Sequence, residues 1–227
     1  MPTVRLPLTA RGLLIDMDGT LVDSDAVVER VWRDWAAAKG LDADEVLRIA
    51  HGRQGHETMA TLLPDRPAEL NHEENRALLA RETAELDGVV PVPGASAFMA
   101  ALARVPHALV TSADIALATA RMGAAGVRMP DARITAESVS ASKPDPEGFL
   151  KGAAELGIPP QDCVAFEDSG AGIAAARAAG MRVVGVGVRA SAYGPTAHVT
   201  DLTRLRVEPL PDGGVRLHFT DRADGTD

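Results

Sequence analysis

Residues 12–25 read GLLIDMDGTLVDSD, an apolar run followed by Asp16, Asp18 and Gly19. A two-residue offset directs both aspartates to one side of an extended strand. Carboxylates held there suit nucleophilic attack, acid–base exchange and capture of a hard cation. Three other stretches end in complementary groups: HALVTS in Thr111 and Ser112, CVAFED in Glu167 and Asp168, while SKPDP supplies Lys143. Singly, each has an ordinary explanation, since Asp-Gly makes turns, Thr-Ser and Glu-Asp-Ser cap helices, and Lys-Pro sits in surface loops. Together they gather carboxylates, a hydroxyl and an ammonium group from four loops.

Other uses of these residue types fail on spacing. A calcium loop beginning at Asp16 needs Gly at its sixth position and Glu at its twelfth, where this chain has Leu21 and Val27. His51 and His56 are five residues apart with no carboxylate at ligand spacing, which argues against zinc. The single cysteine, Cys163, excludes an internal disulfide framework and, within DCVAFED, reads as a buried strand residue.

The elements that must hold these groups are legible from the patterning. GLLIDM is the first strand; from residue 94 onward, short β-branched runs alternate with Ala-rich helices. HALVT, helix 114–125, ARITA, helix 146–157, CVAF, helix 170–179 and RVVGVGV follow in that order. This alternation predicts an α/β fold, a doubly wound, Rossmann-like parallel sheet with helices on both faces. In such a sheet ligands bind outside the carboxyl ends of the strands, where the candidate residues fall. Asp145 is the expected N-cap of helix 146–157, with Pro146 at its first helical position. Residues 25–87 carry helical periodicity instead, beginning with AVVERVWRDWAAAKG, which stops at Gly40. Trp32 and Trp35 share a face of that helix and are expected to pack in the core of the insert.

The expected organisation is a catalytic core of residues 12–24 plus 89–203, an inserted α-helical cap over 25–88, and a C-terminal hairpin and tail over 204–227. The Pro-rich VVPVPG is the return hinge, AHVTD an edge strand, VEPLPDGGVRLHF the hairpin and DRADGTD an unstructured tail.

With 227 residues, 46% of them hydrophobic, the chain is large enough to bury a real core. Aromatics make up 3%, so that core is built from small aliphatic side chains. A net charge of −9 with three lysines, Lys39, Lys143 and Lys151, disfavours nucleic-acid and anionic-membrane binding. MPTVRLPLTARG lacks the apolar run of a signal peptide, and no stretch approaches the roughly 18 apolar residues of a membrane span. A cytoplasmic protein, monomer or homodimer, is expected.

The strings DMDGTLVDS, LVTSAD, SKPDPEGFL and FEDSGAGI, in that order, resemble the four motifs of the haloacid dehalogenase superfamily of aspartate-nucleophile phosphohydrolases, over roughly residues 12–190. The resemblance implies that Asp16 is the nucleophile that becomes an aspartyl phosphate and that Asp18 is general acid and base. It also implies Mg²⁺ (magnesium) as cofactor. Asp16, Asp168 and the Asp18 backbone carbonyl are then its ligands, with Glu167 nearby. Mg²⁺ would cancel the repulsion between an attacking carboxylate and a phosphate. Thr111 and Lys143 would then stabilise the phosphoryl group, Gly19 would give close backbone approach, and Ser112 is a weaker binding candidate.

Asp18 separates this chain from the dehalogenases and phosphonoacetaldehyde hydrolases of the superfamily, which lack an aspartate there. The latter also need a Schiff-base lysine in the cap; here Lys39 sits at a helix C-terminus, where a cation suits the macrodipole. The helical insert resembles the caps that close over small soluble phosphate esters, and HGRQGHETM resembles the specificity loop of the sugar and glycerol phosphatases. That gives His51, Arg53, Gln54 and His56 as candidate substrate contacts. β-Phosphoglucomutase-like proteins are the alternative, but their cap loop resembles GxSR, and Gly55 stands here in place of the arginine. A non-catalytic phosphoester-binding regulatory protein is the alternative of a different class. The expected activity is a Mg²⁺-dependent phosphomonoester hydrolase acting on a small phosphorylated sugar, sugar alcohol or polyol.

Overall fold

The computed structural model describes residues 7–220; MPTVRL and the expected tail DRADGTD lie outside the described residues. In chain order the elements are β1 (Leu8–Ala10), β2 (Gly12–Ile15), β3 (Val22–Asp23), α1 (Asp25–Lys39), α2 (Ala43–Ala50), α3 (Gly55–Leu62) and α4 (Ala68–Ala84). Then come β4 (Val90–Pro91), α5 (Ala95–Ala101), β5 (His107–Val110), α6 (Ile115–Ala124), β6 (Ala132–Ile134) and α7 (Glu147–Glu155). The chain closes with β7 (Cys163–Glu167), α8 (Gly170–Ala178), β8 (Arg182–Val186), α9 (Gly187–Ala190), β9 (Ala197–Val199), β10 (Leu205–Pro209) and β11 (Val215–Phe219).

Six strands form one parallel sheet in the order β6-β5-β2-β7-β8-β9. Alternate residues of its central strands feed two separate cores. Leu13, Ile15, Leu109, Val164 and Phe166 pack with Phe98 of α5 and Leu117 and Met122 of α6. Leu14, Ala108, Val110 and Ala165 pack with Phe149 of α7 and Ile173 of α8. Burial on both faces explains why these strands read as continuous apolar runs. The fold is the doubly wound α/β arrangement expected, and AHVTD forms its edge strand.

Three local expectations are corrected. RVVGVGV does not stay extended: β8 ends at Val186, and the chain turns helical at Gly187, whose φ of +80° is a left-handed value that glycine adopts readily. Helix α7 starts at Glu147 with Pro146 as its N-cap; Asp145 still serves the helix end, its carboxylate accepting the Glu147 N–H at 2.9 Å. The hairpin β10–β11 does not stand alone, because β1 adds to it as a third strand, with Leu8 opposite Leu217 and Ala10 opposite Val215. A three-residue strand carries too little periodicity to be recognised in sequence.

Helices α1–α4 occupy the chain between β3 and β4. These two short strands pair antiparallel, Val22 opposite Pro91 and Asp23 opposite Val90, so the outgoing and returning chains run side by side. Helix α1 stops where expected, at left-handed Gly40, whose N–H donates to the Ala36 and Ala37 carbonyls. Trp32 and Trp35 are buried and meet edge to face at 5.5 Å. Trp35 also donates its indole N–H to Glu74 at 2.7 Å.

Candidate active site

Strand β2 lies between β5 and β7, and the three carboxyl ends deliver Asp16, Thr111 and the Glu167–Asp168 pair to one rim. Lys143 arrives from the loop after β6. Its buried ammonium donates to Asp16 Oδ1 at 2.5 Å, Glu167 Oε1 at 2.6 Å and the Val110 carbonyl at 3.1 Å, which uses all three of its protons. Burial opposes that charge, but Asp16 and Glu167 outweigh it and hold Lys143 protonated, above its ordinary range.

Carboxylate oxygens of Asp16, Glu167 and Asp168 lie within 4.8 Å of one another. Burial, then the neighbouring Glu167, push Asp16 well above the usual carboxylate range despite Lys143. The same two causes carry Asp168 up to about 7, against the pull of Arg189. Lys143 and Arg189, the latter shared with Asp25, do not balance the three buried carboxylates. An all-oxygen donor set with excess negative charge fits a hard divalent cation, which would relieve the repulsion.

The members of the cluster are not equivalent. Glu167 Oε2 accepts the N–H groups of Asp168 at 3.0 Å and Ser169 at 3.1 Å and the Ser169 hydroxyl at 3.0 Å, while Oε1 takes Lys143. Glu167 thus orients Lys143 and the start of α8. Two glycines make room for these carboxylates. A Cβ on Gly172 would lie 1.7 Å from Glu167 Oε1, and one on Gly19 would lie 2.2 Å from Asp168 Oδ2. With a φ of +75°, Gly19 is required by the approach of Asp168 as well as by its own turn.

A cavity of about 100 Å³ opens between this rim and helices α1–α4; Asp16, Asp18, Thr111, Ser112, Asp168, His51 and Arg53 all line it. The Ser112 hydroxyl donates to the Gly52 carbonyl at 2.9 Å, which joins the rim to the HGR loop. Gly52, at φ +80°, lets that loop lie on Ser169, whose Oγ would be 2.1 Å from a Cβ there. Burial, then Arg189, keep the His51 imidazole below its ordinary value and so neutral. Gln54 and His56 are not brought to the cavity wall. Gln54 points its amide at the Ala136 carbonyl, 3.5 Å away. His56, in the first turn of α3, lies against His72 of α4 with ring centroids 4.4 Å apart. Trp32 contributes to the cavity wall as well as to the core.

Several charged residues of the site escaped the sequence reading. Arg121 on α6 reaches Asp18 Oδ1 and Glu82 Oε2, both at 2.9 Å, and Ser24 donates to the same Asp18 oxygen at 2.7 Å. Arg189 on α9 contacts Asp168 at 2.9 Å and grips both oxygens of Asp25, at 2.9 and 3.0 Å. Glu57 on α3 accepts the N–H and hydroxyl of Ser142, the residue before Lys143. One signal was available: Arg121 sits on the stripe of Leu117, Ala118 and Met122, and a charge on a buried helix face requires a partner.

A parallel sheet with paired aspartates after its central strand, a buried lysine beside them and a helical unit above defines a class of hydrolase. The haloacid dehalogenase-like hydrolase family matches residues 10–180, and the chain belongs to it. Among its relatives, hexitol phosphatase A of Escherichia coli (strain K12) is 37% identical over 92% of this chain and 99% of its own length. Glycerol-1-phosphate phosphohydrolase 1 of Saccharomyces cerevisiae is 35% identical over 82% of this chain and 79% of its own. The β-phosphoglucomutase of Clostridium difficile shares the fold, with a TM-score of 0.76 over 87% of this chain and 93% of its own at 21% identity. No helix among the described residues is long and apolar enough to cross a membrane.

Proposed function

We propose that this protein is a Mg²⁺-dependent phosphomonoesterase acting on a small phosphorylated sugar, sugar alcohol or polyol. The observation that carries the reading is the buried cluster of Asp16, Glu167 and Asp168 around Lys143, two of whose members, Asp16 and Asp168, line the cavity below helices α1–α4. The phosphatase relatives support it, hexitol phosphatase A above all. Asp16, Asp168 and the Asp18 carbonyl would hold the metal, which when bound screens the repulsion between the attacking carboxylate and the phosphate.

In this reading an Asp16 oxygen attacks phosphorus and the ester P–O bond breaks. The Asp18 carboxyl gives its proton to the departing alkoxide, which leaves as a neutral alcohol. Asp18, now a carboxylate, takes a proton from the water that attacks the aspartyl phosphate; phosphate departs and Asp16 is restored. Thr111 and Lys143 stabilise the phosphoryl oxygens, and Glu167 keeps Lys143 in place. Arg53 and His51 face the substrate's hydroxyls from the cap. Residues 25–88 open and close over the rim about the β3–β4 ribbon.

Release of inorganic phosphate from a panel of hexitol, glycerol, hexose and fructose phosphates, phosphoglycolate and nucleotides, with and without Mg²⁺, tests the reading. Turnover of polyol or sugar phosphates that needs the metal and vanishes in Asp16→Asn supports it. Absence of turnover across the panel refutes it, as does an Asp16→Asn variant of near-native rate. Isomerisation of β-glucose 1-phosphate with a bisphosphate primer, outrunning phosphate release, would favour the mutase instead.

A further inference from the structure

The proposed reaction needs Asp18 aimed at the leaving oxygen, and two donors fix where it points. Ser24, immediately before α1, and Arg121, on α6, both bond Oδ1, at 2.7 and 2.9 Å. That leaves Oδ2 as the oxygen to exchange a proton with substrate. The Arg121 side chain is 3% exposed, and a guanidinium buried so deeply is tolerated only when it is paired. Its two partners come from opposite walls of the cavity: Asp18 follows β2, whereas Glu82, whose side chain is 8% exposed, belongs to cap helix α4. The Arg121 Nε is buried without a hydrogen-bond partner, so the guanidinium is anchored through these two carboxylates.

We propose that Arg121 is a positioning residue that holds Asp18 ready for proton transfer when the cap is closed, with Glu82 as the contact that registers closure. The proposal rests on the phosphatase reading above and deepens it. When α4 swings away with the cap, Glu82 goes with it and the fork keeps one anchor instead of two. The Arg121 side chain then regains rotamer freedom, and Asp18 loses its fixed aim. Acid–base chemistry is thereby confined to the closed, water-poor state. Each leg is a single ion pair, so losing either one leaves the guanidinium held through the other alone.

Leaving-group chemistry tests this directly. A polyol alkoxide needs a proton from Asp18 as its P–O bond breaks, whereas p-nitrophenolate departs without one. Values of kcat/KM, which cover steps through release of the alcohol, are compared for the best polyol phosphate of the panel and for p-nitrophenyl phosphate, in Mg²⁺, with melting temperatures recorded. Arg121→Gln is expected to lose on the order of 100-fold on the polyol ester, the scale of general acid catalysis, and less than about threefold on the aryl ester. Asp18→Asn sets the upper limit of that ratio. Glu82→Gln keeps the shape of the side chain but weakens the grip on Arg121, and is expected to move the ratio the same way by about three- to tenfold.

Equal losses on both esters in Arg121→Gln would reduce the arginine to a structural role and overturn the proposal. A wild-type ratio in Glu82→Gln would overturn the link to the cap. If Arg121→Gln does not fold, Glu82→Gln decides alone, because its ratio either shifts or does not. Both outcomes differ from failure of the phosphatase reading, in which the wild-type protein turns over nothing in the panel.

Discussion

Removing metal while raising pH should destabilise this protein, and the size of the effect follows from Asp168. Its carboxyl is pushed from an ordinary 3.8 up to about 7 by burial and then by Glu167, with Arg189 opposing. Between those values the folded, metal-free protein holds a proton that the unfolded chain has released. Stability from this group is therefore fully present below about pH 4 and is lost as pH rises through about 7. The window is about three pH units wide, and at about 1.4 kcal/mol per unit the loss is on the order of 4 kcal/mol. For a chain of this size, where 1 kcal/mol moves the midpoint by about 2–4 °C, that is a fall of about 10 °C. Asp16 shifts in the same direction for the same first cause, burial. Saturating Mg²⁺ binds the deprotonated carboxylates and adds stability that grows with pH, so it flattens or reverses the slope. The assay is a series of melting curves from pH 4 to 8 in EDTA and in MgCl₂, on the wild type and on Asp168→Asn. The variant removes the titrating group together with its push on Asp16, so the difference between the two proteins reports Asp168 and its coupling to Asp16. A wild-type midpoint in EDTA that stays level or climbs relative to Asp168→Asn would refute the reasoning, as would a slope unmoved by Mg²⁺.

Three substitutions test other parts of the site. Lys143→Met leaves Asp16 and Glu167 buried without their cation; a loss of about 3–5 kcal/mol in chemical unfolding is expected, together with loss of turnover that added Mg²⁺ does not restore. Gly172→Ala would improve intrinsic helix propensity in α8 yet should destabilise the protein by about 1–3 kcal/mol, because the new Cβ meets the fixed carboxylate of Glu167; a stability gain in urea titration would contradict this packing. Arg53→Ala should raise KM for the preferred polyol phosphate several-fold while kcat stays within about threefold, as for a contact made equally in ground and transition states; a fall confined to kcat would place Arg53 in the chemistry instead.

How much of this was legible depended on how local the signal was. The strand ends, the Asp16–Asp18 spacing and the FEDSGAGI turn are written in adjacent residues, so the parallel sheet and the family were both accessible from the chain. The glycines at 19 and 172 were also visible, but their reasons were not, since each yields space to a carboxylate from a different segment. Strand β1 was missed because three residues carry no period, and its partner β11 lies at the other end of the chain. Of the polar residues in the HGRQGHETM loop, the fold turns His51 and Arg53 into the cavity and His56 onto His72, a choice made by where α3 begins.

The sequence by itself determined the chemistry on offer: an aspartate pair, a hydroxyl, a lysine and an acidic pair at the ends of strands, with a helical segment inserted after the first. Short-range patterning suffices for that, because side-chain type and strand register are local properties. Only the tertiary structure decided the electrical state of the site. Lys143 is shared between Asp16 and Glu167, Arg189 between Asp168 and Asp25, and Arg121 between Asp18 and Glu82, and in each case the partners come from different segments of the chain. Charges pair strongly only where burial removes water from between them, and which groups are buried together is settled by packing, not by neighbours in sequence.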